Sequence, residues 1–165
     1  MRKMILPLKR DVVKTYPYGT QALATILIHE EAWPWFYNSY VNLYANPTTN
    51  LVRGSFIDAD IRGGECPFIR PIDVPREILD RKWERFSDFV KDAIDLGYYV
   101  TLYLNRYYLS DTPEYHLQHF PHRCFLYGYE NGKIYGADFF HKTYSSQAFT
   151  YNEIDDSYRT YRRTT

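Results

Sequence analysis

The dipeptide Asn131-Gly132 stands between two runs rich in aromatic and aliphatic residues, 123 to 130 and 133 to 140. Asn-Gly supplies the two positive-φ positions of a tight I′ turn, so the stretch predicts an antiparallel hairpin. Helices are expected upstream. Ala22, Leu23, Ile26 and Leu27 follow i, i+3, i+4 spacing, which predicts a helix starting near residue 18 or 19 and reaching His29. A second helical stretch opens at Trp33, carries Phe36, Tyr40, Leu43 and Tyr44 on one face, and is expected to stop near Asn46 and Pro47. In a third, Trp83, Phe86, Phe89, Val90, Ala93 and Ile94 repeat at helical spacing opposite Glu84, Arg85, Asp88, Lys91, Asp92 and Asp95, with Gly97 placed to end it.

Residues 51 to 57 read as a short strand, and residues 59 to 73, with Gly63, Gly64, Pro67 and Pro71, as a loop. The nearly continuous apolar and aromatic run 98 to 104 suits an interior strand covered on both faces. A polar segment, 105 to 121, precedes the hairpin. A strand at 147 to 151 and a helix from Asn152 follow it, the acidic residues 152 to 156 being expected at a solvated helix start favoured by the dipole. Helices first and antiparallel strands last make the fold class α+β, with one domain over residues 1–165.

Twenty basic and 20 acidic side chains cancel, and no long run of one sign occurs, so neither nucleic acid nor an anionic membrane is an expected partner. Hydrophobic stretches fall short of the roughly 20 residues of a membrane span, and residues 1 to 10 have no apolar signal-peptide core. Cys66 and Cys124 allow at most one bridge and make no metal-type spacing, which fits a reducing cytoplasm. The 18 tyrosines fall in strand-like runs and are expected chiefly to pack a sheet and its flanks, with a binding groove as the lesser reading.

The segments His122-Arg-Cys-Phe-Leu-Tyr-Gly-Tyr129 and Ile134-Tyr-Gly-Ala-Asp138, with Gly97-Tyr-Tyr-Val-Thr-Leu-Tyr-Leu104 before them, resemble the His strand, Gly-Tyr turn and Asp strand of papain-like cysteine peptidases of the bacteriocin-processing (C39-like) type and of the N-terminal domain of the butirosin biosynthesis protein H family. The resemblance covers residues 16 to 30 and 96 to 140. It implies a papain-like fold in which a cysteine at a helix N-terminus faces the histidine, because the helix dipole and an imidazolium both stabilise a thiolate. His122 and Asp138 match the family's His and Asp. Where the family reads Cys-x-x-x-Ala-Leu-x-x-x-Leu, this chain reads Tyr18-Gly-Thr-Gln-Ala-Leu23-Ala-Thr-Ile-Leu27, so Tyr18 stands at the nucleophile position. A tyrosine with pKa about 10 is a poor acyl acceptor. Residues 12 to 16 also lack the glutamine with which the peptidases bind the oxyanion.

With a two-residue turn at Asn131-Gly132, cross-strand partners sum to 263, which puts His122 opposite His141 and Asp138 opposite Phe125, on opposite faces. A bulge at Gly128 or Gly136 is therefore expected to bring the dyad together. His116, His119 and His122 lie in a proline-containing stretch without a helical frame, and no metal or other cofactor is expected. His29 and His141 read as surface or helix-end residues. Trp33 and Trp35 read as core, or as lining a pocket near Tyr18. The resemblance then implies a catalytically degenerate papain-like domain that binds a peptide, an acyl chain or a carrier-protein-tethered ligand in bacterial natural-product biosynthesis of the nonribosomal-peptide or aminoglycoside type. The alternative it implies is a butirosin H-like, amide-forming acyltransferase acting on carrier-protein thioesters, with His122 as base. It further implies a possible second domain beyond residue 160. Oligomeric state is left open.

Overall fold

A computed structural model describes residues 3–9, 17–39, 41–46, 51–56, 66–141 and 143–161, with backbone alone at 17, 18, 39, 41–46 and 51–56. The architecture mixes α and β, as the order of sequence signals predicts. The chain divides into two compact units: Leu8–Ile72, and Met1–Pro7 with Asp73–Thr165.

The larger unit is a five-stranded antiparallel sheet with helices packed on one face. Its strands are β1 (Met4–Ile5), β4 (Val100–Asn105), β5 (Pro121–Glu130), β6 (Lys133–Phe140) and β7 (Thr143–Thr150), and its helices are α3 (Arg76–Lys82), α4 (Phe86–Asp95) and α5 (Tyr151–Thr160). The order is β1-β5-β6-β7, with β4 beside β5 on the same side as β1. The hairpin turns at Asn131 and Gly132, both at positive φ. Val90 and Ile94 of α4 and Ile154 of α5 join Leu104, Leu126, Ile134, Phe140 and Phe149 of the sheet in one core. Gly97 ends α4 at φ 85°, where Gly97 N–H donates to Ile94 O and Tyr98 N–H to Ala93 O, the paired bonds of a left-handed helix stop.

The run 98 to 104 is not an interior strand. Among the described residues β4 pairs only with β5, and Tyr98 and Tyr103 are exposed, Tyr103 stacking on Tyr161 at 5.5 Å. The segment 152 to 156 is a solvated start in part: Asn152 and Asp156 are exposed and Glu153 stands in the first turn, but Asp155 does not face solvent. Asp155 is buried and accepts from the backbone N–H of Ser87 at 2.7 Å, satisfying a free donor in the first turn of α4, while Arg85 pairs with its other oxygen at 2.7 Å. The start of α5 is closed by a capping box between Thr150 and Glu153. The helix expected from Trp83 starts at Phe86, since Trp83 and Arg85 are extended, and α3 lies before the periodic stretch, where no helix was expected.

The smaller unit holds α1 (Pro17–Ile26), α2 (Trp33–Ser39) and a hairpin of β2 (Val41–Asn46) and β3 (Leu51–Phe56). The second helix therefore ends at Ser39, not at Asn46. Tyr40, Leu43 and Tyr44 fit a helical face, but Val41, Leu43 and Ala45 fit strand alternation equally, and the pairing of Val41 with Phe56 through Asn46 with Leu51 decides for the strand. Leu23, Ile26, Leu27, Ala32, Phe36 and Cys66 form its core, with Trp33 and Trp35 packed against it. Residues 59 to 65 of the 59 to 73 stretch lie outside the described residues, and no helix or strand is formed from 66 to 73. No helix among them is long and apolar enough to cross a membrane.

Candidate functional site

His122 stands one residue into β5, paired with Leu104 of β4. The partners in the hairpin sum to 263 from Glu130–Lys133 to Gly128–Tyr135, then to 262 at Leu126–Gly136 and Phe125–Ala137. One residue of β5, Tyr127, is thus extra, so the bulge lies beside Gly128. Gly128 itself is required by β1, since a Cβ there would stand 3.1 Å from Ile5 Cα and from Met4 O. Beyond the bulge the alternation is restored in favour of the dyad. Asp138 and His122 project from one face, and His122 Nδ1 lies 2.6 Å from Asp138 Oδ2.

A third residue completes the group. Arg106, in the 3-10 turn Arg106–Tyr108 after β4, is buried and donates through one terminal nitrogen to Asp138 Oδ2 at 2.7 Å and to Phe139 O at 3.3 Å. Its guanidinium lies between the rings of Phe120 and Phe140, 5.6 and 5.3 Å from their centroids, and 3.8 Å from Glu114. Asp138 is fully buried, and its Oδ1 accepts from the Phe139 N–H at 2.7 Å. With arginine and backbone donors on both oxygens, Asp138 is a carboxylate that only accepts. The 2.6 Å contact fits a proton on His122 Nδ1, which also stands 3.1 Å from the same arginine nitrogen, and in that tautomer Nε2 is the acceptor. The imidazole is 28 % exposed and stacks on Phe120 at 5.6 Å, 14° between planes.

The loop from 106 to 120 that carries Arg106 is closed at its base by Arg106 N–H donating to Phe120 O. The side-chain oxygen of Asn105 accepts from the Tyr107 and Phe120 N–H groups, and its amide nitrogen contacts His119 Nδ1 at 2.9 Å. His119 and His116 instead pack on Tyr107. No group of His, Cys, Asp and Glu among the described residues could hold a metal ion.

Cys124, two residues from His122, is fully buried, and burial first, then the Asp138 carboxylate, pushes its thiol up. Cys66 is buried in the other unit. Tyr18 lies in the first turn of α1, in the unit that does not hold His122, and its side chain is outside the described residues. His29 precedes the 3-10 turn Glu30–Ala32, and His141 contacts Asp111 O through Nε2 at 2.7 Å. A small surface cavity of about 240 Å³ lined by Lys91, Asp92, Asp95, Tyr129, Asn131, Gly132 and Tyr151 shares no residue with the His122 group. Arg106 was not marked by the sequence, because Asp138 and His122 sit on strands far along the chain, and no local spacing signals Glu114 and Phe120, which approach it within the 106 to 120 loop. The chain matches no family model, no curated protein and no solved structure.

Proposed function

We propose that the chain is a papain-like, C39-like domain without covalent cysteine catalysis, which holds a peptide, acyl or carrier-protein-tethered ligand beside His122. One observation carries this reading: a His–Asp pair fixed at 2.6 Å with Nε2 open, in a chain whose two cysteines are both buried. An activated nucleophile needs a thiol within reach of the imidazole and open to substrate, and neither cysteine is open. The open Nε2 also fits the second reading, butirosin H-like amide formation, in which His122 takes the proton of an attacking amine without an acyl-enzyme.

The test is direct. The intact protein is expected to resist iodoacetamide under native conditions and to leave aminoacyl and peptidyl thioesters unhydrolysed, while His122 ring signals shift on adding them. Turnover of a thioester that is lost in His122→Ala would overturn the binding reading in favour of the enzyme. The resemblance has its own test in Tyr18→Cys. Its thiol is titrated by iodoacetamide labelling with and without His122→Ala, and a pKa that changes between the two would support the resemblance. An ordinary thiol pKa of about 8.5 in both proteins would remove the resemblance.

A further inference from the structure

α3 has no buried residue: Glu77, Ile78, Asp80, Arg81 and Lys82 are exposed, and Arg76 and Leu79 are half-buried. Its neighbours α4 and α5 bury five and four residues. With seven residues, α3 is about half as long as an isolated helix must be to hold in water, so its docking decides whether it forms. That docking is concentrated on one residue of α5, Tyr158. The Arg76 guanidinium lies 4.0 Å over the Tyr158 ring, which also stacks on Phe86 at 4.0 Å. Arg76 donates to Tyr158 O at 3.0 Å and to Tyr161 O, and the Tyr158 hydroxyl donates to Asp80 at 2.9 Å. Leu79 packs against the core of the larger unit. The two ends of α3 differ. Before it, residues 66 to 75 form neither helix nor strand, and Ile72 and Val74 are exposed. After it, the extended Trp83 is fastened to α4: its Nε1–H donates to Asp92 at 2.8 Å, and its ring meets Phe89 at 5.1 Å.

We propose that α3 is a releasable strap, which leaves α5 in one step with Trp83 as its fixed end while the sheet, α4 and α5 stay folded. The contacts that break are few and lie near the surface, where the Arg76 side chain is 35 % exposed, so the opening is local. It adds the seven residues of α3 to the chain that joins the two compact units. At about 1.5 Å per helical residue against about 3.3 Å per extended one, that connection lengthens by roughly 13 Å. The smaller unit, Leu8–Ile72, gains this reach with the buried residues of both cores left in place.

Native-state hydrogen exchange of the full chain, from water to about 2 M urea, reads the opening without any substitution. The amides of Leu79 and Trp83 donate to Pro75 O and Leu79 O. They are expected to exchange at least about 100-fold faster than those of Val90 and Ile94, with little dependence on urea because little surface is uncovered. Trypsin should cut the folded protein after Arg81 and Lys82 and spare Lys91. Arg76→Ala is expected to speed that cut at least about fivefold, since cleavage follows the population of the open form, and to leave exchange at Val90 and Ile94 within about twofold. Exchange at Leu79 and Trp83 only through global unfolding, exchange there as fast as in an unstructured chain, or a cut indifferent to Arg76→Ala would each overturn the proposal.

Discussion

Replacing Arg106 by methionine removes the one cation buried against Asp138 while keeping much of its apolar length between Phe120 and Phe140. The buried carboxylate would keep the Phe139 N–H and His122, which is only partly shielded from water. Breaking a buried pair from one side costs about 3–5 kcal/mol. Because His122 can take up a proton and replace part of the lost charge, the lower end of that range, about 3 kcal/mol, is expected. With a urea m-value of about 2 kcal/mol/M, the unfolding midpoint should fall by roughly 1.5 M. Arg106→Met combined with Asp138→Asn removes both charges and is expected to be more stable than the single Arg106 variant, with a coupling of about 2 kcal/mol in the cycle. Equilibrium unfolding of the four proteins at neutral pH gives the result. A single-variant loss below about 1 kcal/mol, or strict additivity, would show that Arg106 does not hold Asp138 in the way the 2.7 Å contact indicates.

Asp155→Ala should cost about 2–4 kcal/mol in the same assay, since it leaves the Ser87 N–H without an acceptor and Arg85 without its pair. Burial pushes the Glu153 carboxyl up, but the N–H groups of Ser110 and Thr150 and the Thr150 hydroxyl outweigh it and hold it below its ordinary 4.5. Its contribution is therefore complete above about pH 4.5 and drains as the pH falls through its lower folded value, so the gap of about 1 kcal/mol between wild type and Glu153→Gln should close in acid when melts are followed against pH. Gly136→Ala would place a Cβ 3.0 Å from Cys124 Sγ and 3.3 Å from Leu126 Cδ2, and about 1–3 kcal/mol of overpacking should appear as a lowered Tm.

What could be read in the sequence, and what could not, divides by range. The Asn131-Gly132 turn, the Gly97 stop and the core face of α4 are set by residues within a few positions of one another, and the structure has each of them. The second helix went astray because residues 40 to 46 satisfy both the helical and the strand period, and only the partner strand Leu51–Phe56 decides between them. Asp155 could not be seen as buried, since what buries it is the start of α4, about 70 residues earlier in the chain.

The site shows the same division, with a consequence for its chemistry. The pairing of His122 with Asp138 follows from the hairpin plus one extra residue, and the glycines at 128 and 136 marked where that residue could be inserted; it went in at Tyr127, beside the glycine that β1 approaches most closely. Arg106 is 32 residues from Asp138, and nothing near it in the chain announces the contact. Yet it changes what the dyad can do. A histidine facing a lone buried carboxylate is held ready to become an imidazolium, as a thiolate partner demands. Here the carboxylate is already matched by a guanidinium, so His122 is oriented by Asp138 but shares its charge with Arg106. The tyrosine at position 18 and the arginine at position 106 are thus both departures from the resemblance, one at the nucleophile position and one at the carboxylate that orients His122.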